Sequence, residues 1–379
     1  MDRGAASQAD ATRFAALART PARIVLALVA AILLAAALFY TPSEPEDRTV
    51  VARPVSTLQQ GPSSSAADGT DPGKRDDDLA LYDAITARVA AGENYYRVAV
   101  EEQRARNFPV RPGFAVRLPT LATVSAAIGP TGIALAALLL AAITAAAWWV
   151  RLTPILDRPV RRVMAVGLLA VGAAVGFKPI YFVLHEAWAG MLLALALALH
   201  RPGKWRGAWV AAALALAIRE HALPFVLLMG ALAAWRREWR ELAFWGLLVA
   251  AFLTLLAWHV QTVAVLTGPD DPLSSSWLTL RGPNGWLEYI ILCSGLYLIP
   301  QWLGAPLALL PLLGWAALRR PLGLEAFLLF AGYGLLFMLA GRANNFYWGL
   351  MVTPAWFVGI YWVPFALRDL LNRARGRAT

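Results

Sequence analysis

The sequence predicts an all-α polytopic membrane protein with about ten transmembrane helices and a large first outer loop containing short helices. Three observations carry this. Of 379 residues, 59% are hydrophobic and only 15% charged, with a mean hydropathy of +0.55; a soluble chain carries about 25% charged residues. Apolar segments recur at lengths near the roughly 20 residues that cross a hydrocarbon core. The basic residues fall in alternate connections, as the positive-inside rule asks. The single Cys293 excludes a disulfide framework and a multi-cysteine metal cluster. Sixteen Trp and ten Tyr suit membrane interfaces, where amphipathic rings settle.

Taken in order, residues 1–21 form a polar tail and 22–40 the first transmembrane helix, from PARIVLALVAAILLAAALFY. A secretory signal has a shorter apolar region of about 7–15 residues and a small-residue cleavage site, so this segment reads as an uncleaved span. Residues 41–119 form the outer loop. Its first part, 41–77, is rich in Pro, Ser, Gly and Asp and reads as a flexible linker. Its second part, 78–118, is helical: Leu79, Tyr82, Ile85 and Val89 share a stripe, Gly92 ends that helix, and an amphipathic helix follows near Asn94–Arg106. The multi-span domain, 120–367, contains apolar segments near 120–150, 160–177, 186–200, 207–219, 222–235, 241–266, 286–318, 324–341 and 347–367. A basic tail, 368–379, ends the chain.

Charge sets the orientation. With the N-terminus inside, twenty of the 34 Lys and Arg fall on inside connections. Both termini are then cytoplasmic and the 41–119 loop lies outside. The +10 net charge is thereby a topology and anionic-lipid signal, and nucleic acid is not an expected partner. Two segments depart from plain spans. The pair 207–219 and 222–235 is short, about 20 Å each at 1.5 Å per residue, and its junction IREHALPF buries charge below the outer surface. Segment 286–318 is too long for one crossing and breaks at Pro300; its first half is expected to lie along the outer interface or dip into it, and its second half to cross the membrane.

The cytoplasmic side offers scattered arginines and a few acids, with no acid pair in a folded unit. The candidates are all on the outer side: the Asp76–Asp78 run and Asp83, Arg117, Lys178, His185, Glu186, Arg219, Glu220, His221, Arg342, Asn344, Asn345 and Tyr347. Charge at membrane depth is costly and usually functional. Each also has a structural reading. Asp78 fits a helix N-cap or a general base taking a proton from a hydroxyl. Asp76 and Asp77 fit a solvated charge run, and Asp83 faces away from Asp78. Arg117 fits a snorkelling arginine or an anion contact, and Glu186 a favourable helix-start acid. Arg219–Glu220 fits a structural ion pair or part of a site. Four His without a two-His spacing support a metal only weakly, so no cofactor is firmly implied and a divalent metal stays a weak possibility.

These residues resemble a family. One N-terminal helix, a large outer loop with an acid at its start, and many spans including short paired helices look like the GT-C superfamily of integral-membrane glycosyltransferases. The resemblance is closest to bacterial members of unassigned substrate with a D-x-x-L-Y…G-x-x-Y-Y…R-L-P-T loop. Here those positions are Asp78, Leu81, Tyr82, Gly92, Tyr95, Tyr96, Arg117, Leu118, Pro119 and Thr120, followed by HEAWAG (185–190), REHALPF (219–225) and GRANNFYWG (341–349). It covers most of residues 20–367.

The resemblance implies an enzyme of the bacterial inner membrane with a periplasmic active face. It would move a sugar, with inversion, from a polyprenyl-phosphate donor to a hydroxyl of a cell-envelope acceptor. Asp78 would be the base. Tyr82, Arg117, Lys178, His185, Glu186, Arg219, Glu220, Arg342, Asn344 and Tyr347 would bind substrate, with Arg342 and Arg219 first in line for the phosphate. The chain lacks the second acidic motif or large C-terminal domain of many members, which makes metal assistance doubtful and leaves acceptor recognition to loops 78–118 and 267–285. A transporter or flippase of a polar lipid is the alternative; an envelope assembly protein and an outer-face acyltransferase using His185 and His221 rank below it.

Overall fold

The computed structural model describes residues 12–44 and 77–377. Most of the expected linker, the first part of the N-terminal tail and the last two residues lie outside these, as does Asp76. Within them the chain is all-α: fourteen α-helices joined by short 3-10 turns, with only isolated β-bridges between extended residues.

Helix α1 (Arg19–Phe39) is apolar on nearly every side and packs on α11 (Gln301–Ala317) and α14 (Val363–Ala374). Helices α2 (Asp77–Ala90) and α3 (Tyr95–Ala105) form the small unit expected outside the membrane. Gly92 ends α2 in the left-handed region at φ 93°, where a Cβ is disfavoured. Asn94 caps α3 by accepting from the amides of Tyr96 and Arg97. Helix α2 begins at Asp77, so Asp78 lies inside the first turn and is not its N-cap.

Next come α4 (Thr120–Leu152), kinked where Gly129 (φ 70°) precedes Pro130, α5 (Pro159–Ala173), α6 (His185–Leu199), α7 (Arg206–Ile218), α8 (Leu223–Trp235) and α9 (Trp239–Leu266). Then follow α10 (Gly282–Leu292), α11, α12 (Pro321–Leu339), α13 (Thr353–Trp356) and α14. Helix α6 is the hub: almost all of it is buried, against α4, α7 and the 343–351 turn.

Among the described residues, four helices (α1, the α4 region, α9 and α12) are long and apolar enough to cross a membrane, or five spans if the bent pair 343–351 and 353–374 is one. Four more apolar helices have 10–17 residues. The ten expected crossings thus rest partly on helices shorter than a bilayer core. The 286–318 segment is two helices, separated by a 3-10 turn at Gly295–Leu298 and by Pro300. Its first half, α10, is buried against α12 and the 343–351 turn.

The largest departure is 347–367. Expected as one span, it is a succession of 3-10 and short α-turns, bent by 58°. Two causes are visible. Pro354 and Pro364 restart the helix, and close backbone approach is demanded at Gly314 and Gly359, where a Cβ on Gly314 would overlap the Gly359 carbonyl.

The basic connections gather at one end, here the basic face. There Thr12 donates through its N and Oγ1 to Asp369 Oδ2, each at 2.9 Å, and Arg23 donates to the Ala374 carbonyl at 3.0 Å. Helices α2 and α3 sit at the opposite end, the loop face.

Candidate functional site

Arg117 stands at the centre of the loop face. Its backbone is fixed before its side chain is considered. The Tyr95 hydroxyl donates to the Arg117 carbonyl at 2.7 Å, and His259 Nε2 lies 3.1 Å from the neighbouring Val116 carbonyl oxygen. The guanidinium then reaches three elements. Its Nε donates to the Tyr82 hydroxyl (3.1 Å) on α2, and its Nη2 donates to the Tyr347 hydroxyl (3.1 Å) in the 343–351 turn. The same Nη2 is 3.6 Å from Glu186 Oε1 on α6. Such a fork, tied to three elements, is not a mobile snorkelling arginine.

Glu186 links this group to the next. It is 1% exposed, and its Oε1 is 2.7 Å from Nε of Arg219, itself 1% exposed. Arg219 also bonds to Glu220, whose Oε1 is 3.0 Å from His221 Nδ1. The chain places these here because α7 ends at Ile218 and α8 starts only at Leu223, leaving a 3-10 turn at Glu220–Ala222 inside the protein. Buried charge requires partners, and Arg219 has two. Its guanidinium is covered and committed, which suits positioning Glu186 more than direct contact with a substrate.

Arg342 completes the arc. Its backbone is clamped: the Tyr289 hydroxyl donates to its carbonyl at 2.6 Å, and its amide donates to Asn345 Oδ1 at 3.1 Å. Asn345 Nδ2 lies 3.4 Å from the Tyr347 hydroxyl oxygen. The half-buried guanidinium packs 5.8 Å from the Trp277 ring and forms no carboxylate ion pair among the described residues. Asn344 is buried nearby.

Asp78 is half-buried, within electrostatic reach of Tyr82 and Tyr347. Burial raises the Tyr82 phenol well above its ordinary pKa; Arg117 opposes that, and Tyr347 and Asp78 add to it. The next residue, Leu79, is buried against Leu184 and Leu350, which docks the start of α2 on the membrane helices.

Not every expected residue joins. Lys178 is exposed, and its ammonium has no partner among the described residues. His185 is buried beside Tyr82, ring centroids 5.5 Å apart, with neither ring nitrogen hydrogen-bonded among the described residues. It borders a water-sized cavity of about 10 Å³, shared with Tyr82, Tyr95 and Ser125. Among the described residues no group of three His, Cys, Asp or Glu is placed to hold a metal ion.

The basic face corrects one expectation. It does contain an acid pair in a folded unit. His200, fully buried, has Nε2 2.9 Å from Glu241 Oε1 and Nδ1 3.1 Å from Glu325 Oε1. Arg236 stands 3.5 and 3.6 Å from the same two acids, Arg151 3.7 Å from Glu325, and Trp245 Nε1 donates to Glu241 at 3.1 Å. The available signal was an acid one turn inside each of two apolar helices, α9 and α12, which reads locally as a favourable helix-start charge. Their meeting at His200 is a property of packing alone.

The structure also shows an apolar groove of about 840 Å³ along α1, running from Phe14 to Tyr40 and flanked by α10, α11 and α12. Arg281 lies at its loop-face end, bonded to Glu288 and, at 2.6 Å, to Ser43 Oγ. No protein-family model, no curated protein and no solved structure matches the chain.

Proposed function

We propose that this chain is a membrane glycosyltransferase that moves a sugar from a polyprenyl-phosphate donor to a hydroxyl of a cell-envelope acceptor, at the loop face, which is then the periplasmic side of a bacterial inner membrane. One observation carries the reading. Arg117 gathers Tyr82, Tyr347 and Glu186 from three distant elements around the first-loop acid, Asp78, with Arg342 left without a carboxylate partner beside them.

The chemistry follows from these roles. The Asp78 carboxylate takes the proton of the acceptor hydroxyl. The acceptor oxygen attacks the sugar C1 as the C1–O bond to the polyprenyl phosphate breaks, and the electron pair leaves with that phosphate. One displacement inverts the configuration at C1. Arg342 offsets the charge of the departing phosphate. Arg117 holds Tyr82 and Tyr347 in place, Glu186 faces Arg117, and Arg219, itself paired with Glu220, holds Glu186.

The test is transfer from a labelled polyprenyl-phosphate sugar to an envelope acceptor by the purified full chain. General-base catalysis is worth about 10²–10⁴-fold, so Asp78→Asn lowers turnover by at least about a hundredfold. Full activity in that variant ends the base assignment.

The second reading, a transporter or flippase of a polar lipid or lipid-linked sugar, is favoured by the groove that runs along α1 between the two ends. Against it, the buried ionisable side chains group at the two ends, whereas transport sites lie near the midplane. Uptake into proteoliposomes with no covalent product would establish it.

A further inference from the structure

The basic face has a cavity that glycosyl transfer at the opposite end does not use. It measures about 330 Å³, within the range of small-ligand sites. Four guanidiniums line it, from three separated stretches of chain: Arg13 in the turn before α1, Arg236 between α8 and α9, and Arg319 and Arg320 between α11 and α12. Among the described residues, Glu325 is the one carboxylate in its wall.

We infer that this cavity is a binding site for a phosphate group, independent of the loop-face site. The charge balance is the first argument. Glu325 lies 3.7 Å from Arg151 and 3.6 Å from Arg236, so it leaves Arg13, Arg319 and Arg320 uncancelled. Arg319 and Arg320 are exposed, and Arg13 donates only to the Leu318 carbonyl, at 3.2 Å. None of these three has a carboxylate partner among the described residues. Arg236 reaches Glu241 and Glu325 with its terminal nitrogens, and its Nε is covered and without an acceptor among the described residues.

The backbone adds to this. Arg320 is the N-cap of α12 and Pro321 its first residue, and both line the cavity. The positive end of a nineteen-residue helix therefore opens beside the guanidiniums. Several planar forks around a helix N-terminus suit the tetrahedral oxygens of a phosphate better than a lone carboxylate. The neighbouring Trp235 is 71% exposed and Trp239 66%, and such rings settle at the headgroup level of a bilayer. An anionic phospholipid headgroup and a free phosphate compound share this chemistry.

The full chain is placed in phosphatidylcholine nanodiscs, with and without phosphatidylglycerol, beside Arg319→Gln/Arg320→Gln. That variant removes two exposed, unpaired charges and leaves packing intact. Retained phosphatidylglycerol is read by native mass spectrometry, and inorganic phosphate is titrated into the phosphatidylcholine discs while melting is followed. Each basic residue near a surface is worth about a fivefold change in affinity, so the double variant binds roughly 25-fold more weakly. Loss of retained phosphatidylglycerol in the variant identifies the lipid headgroup. Loss of a phosphate-dependent rise in melting temperature identifies a free phosphate. Wild type and variant alike in both assays overturns the site.

Discussion

Replacing Glu186 by Gln tests the centre of the loop-face cluster. The change keeps the side chain's volume and one acceptor oxygen but removes the charge that lies 2.7 Å from Arg219 Nε and 3.6 Å from Arg117 Nη2. Both Glu186 and Arg219 are 1% exposed, so water cannot replace the lost partner. Breaking a buried pair from one side costs about 3–5 kcal/mol; the retained amide oxygen and the Glu220 partner put this case near the lower end, about 3 kcal/mol. At about 2 °C per kcal/mol for a large chain, the melting temperature falls by about 6 °C. The assay is thermal unfolding of the full chain in nanodiscs, followed by tryptophan fluorescence. The paired control is Glu186→Gln/Arg219→Gln. Removing both charges no longer strands a buried Arg219, so the double variant melts higher than the sum of the single shifts predicts, by about 2 kcal/mol of coupling. Glu93→Gln, at an exposed ion pair with Arg88, gives no resolvable shift. A Glu186→Gln protein melting within about 1 °C of wild type, or strictly additive shifts, would refute the buried-pair reasoning.

Two further outcomes are expected. Arg342→Gln raises KM for the lipid-phosphate donor, by about tenfold for the loss of one charge-assisted contact of about 1.5 kcal/mol, and Lys178→Ala leaves kinetics unchanged because its exposed ammonium touches nothing described; steady-state rates against donor concentration separate the two. Asp271 in the connection between α9 and α10 is gripped by Arg104 Nε and Nη2 at 2.6 and 2.8 Å, which holds its carboxyl down to about 2. A depressed carboxyl stabilises the folded state above the ordinary carboxylate pKa and loses that contribution as pH falls through the folded value. Pepsin cleavage within 267–281 therefore rises as pH drops from about 4 to about 2, and Asp271→Asn cleaves at the same rate throughout.

Much of the fold was readable along the chain because burial in a membrane is a local demand. A segment must be apolar over its own length, and one helix ends by Gly92 as another starts after Pro300. The short pair at 207–235 and the buried charge at its junction followed from length and composition alone. The 347–367 stretch did not, since its apolar composition is that of a span while its bends come from what Gly359 and Pro354 must pack beside. At the site, residue types pointed to Asp78, Arg117, Glu186, Arg219 and Arg342 without saying who meets whom. Lys178 ranked behind Arg342 for the phosphate on residue type, and its exposure in the fold now sets it apart from the half-buried Arg342.

Class, apolar segmentation and the gathering of arginines into alternate connections thus come from composition and order, properties each segment carries without its neighbours. Pairing does not. Arg117 bonds to Tyr347 across 230 residues of sequence, and His200 joins Glu241 to Glu325, because α6 is sheathed by helices from both halves of the chain. A buried charge chooses its partner by proximity in the packed state, where an unpaired one is too costly to remain. That choice, which separates the covered Arg219 from the available Arg342, belongs to the tertiary structure.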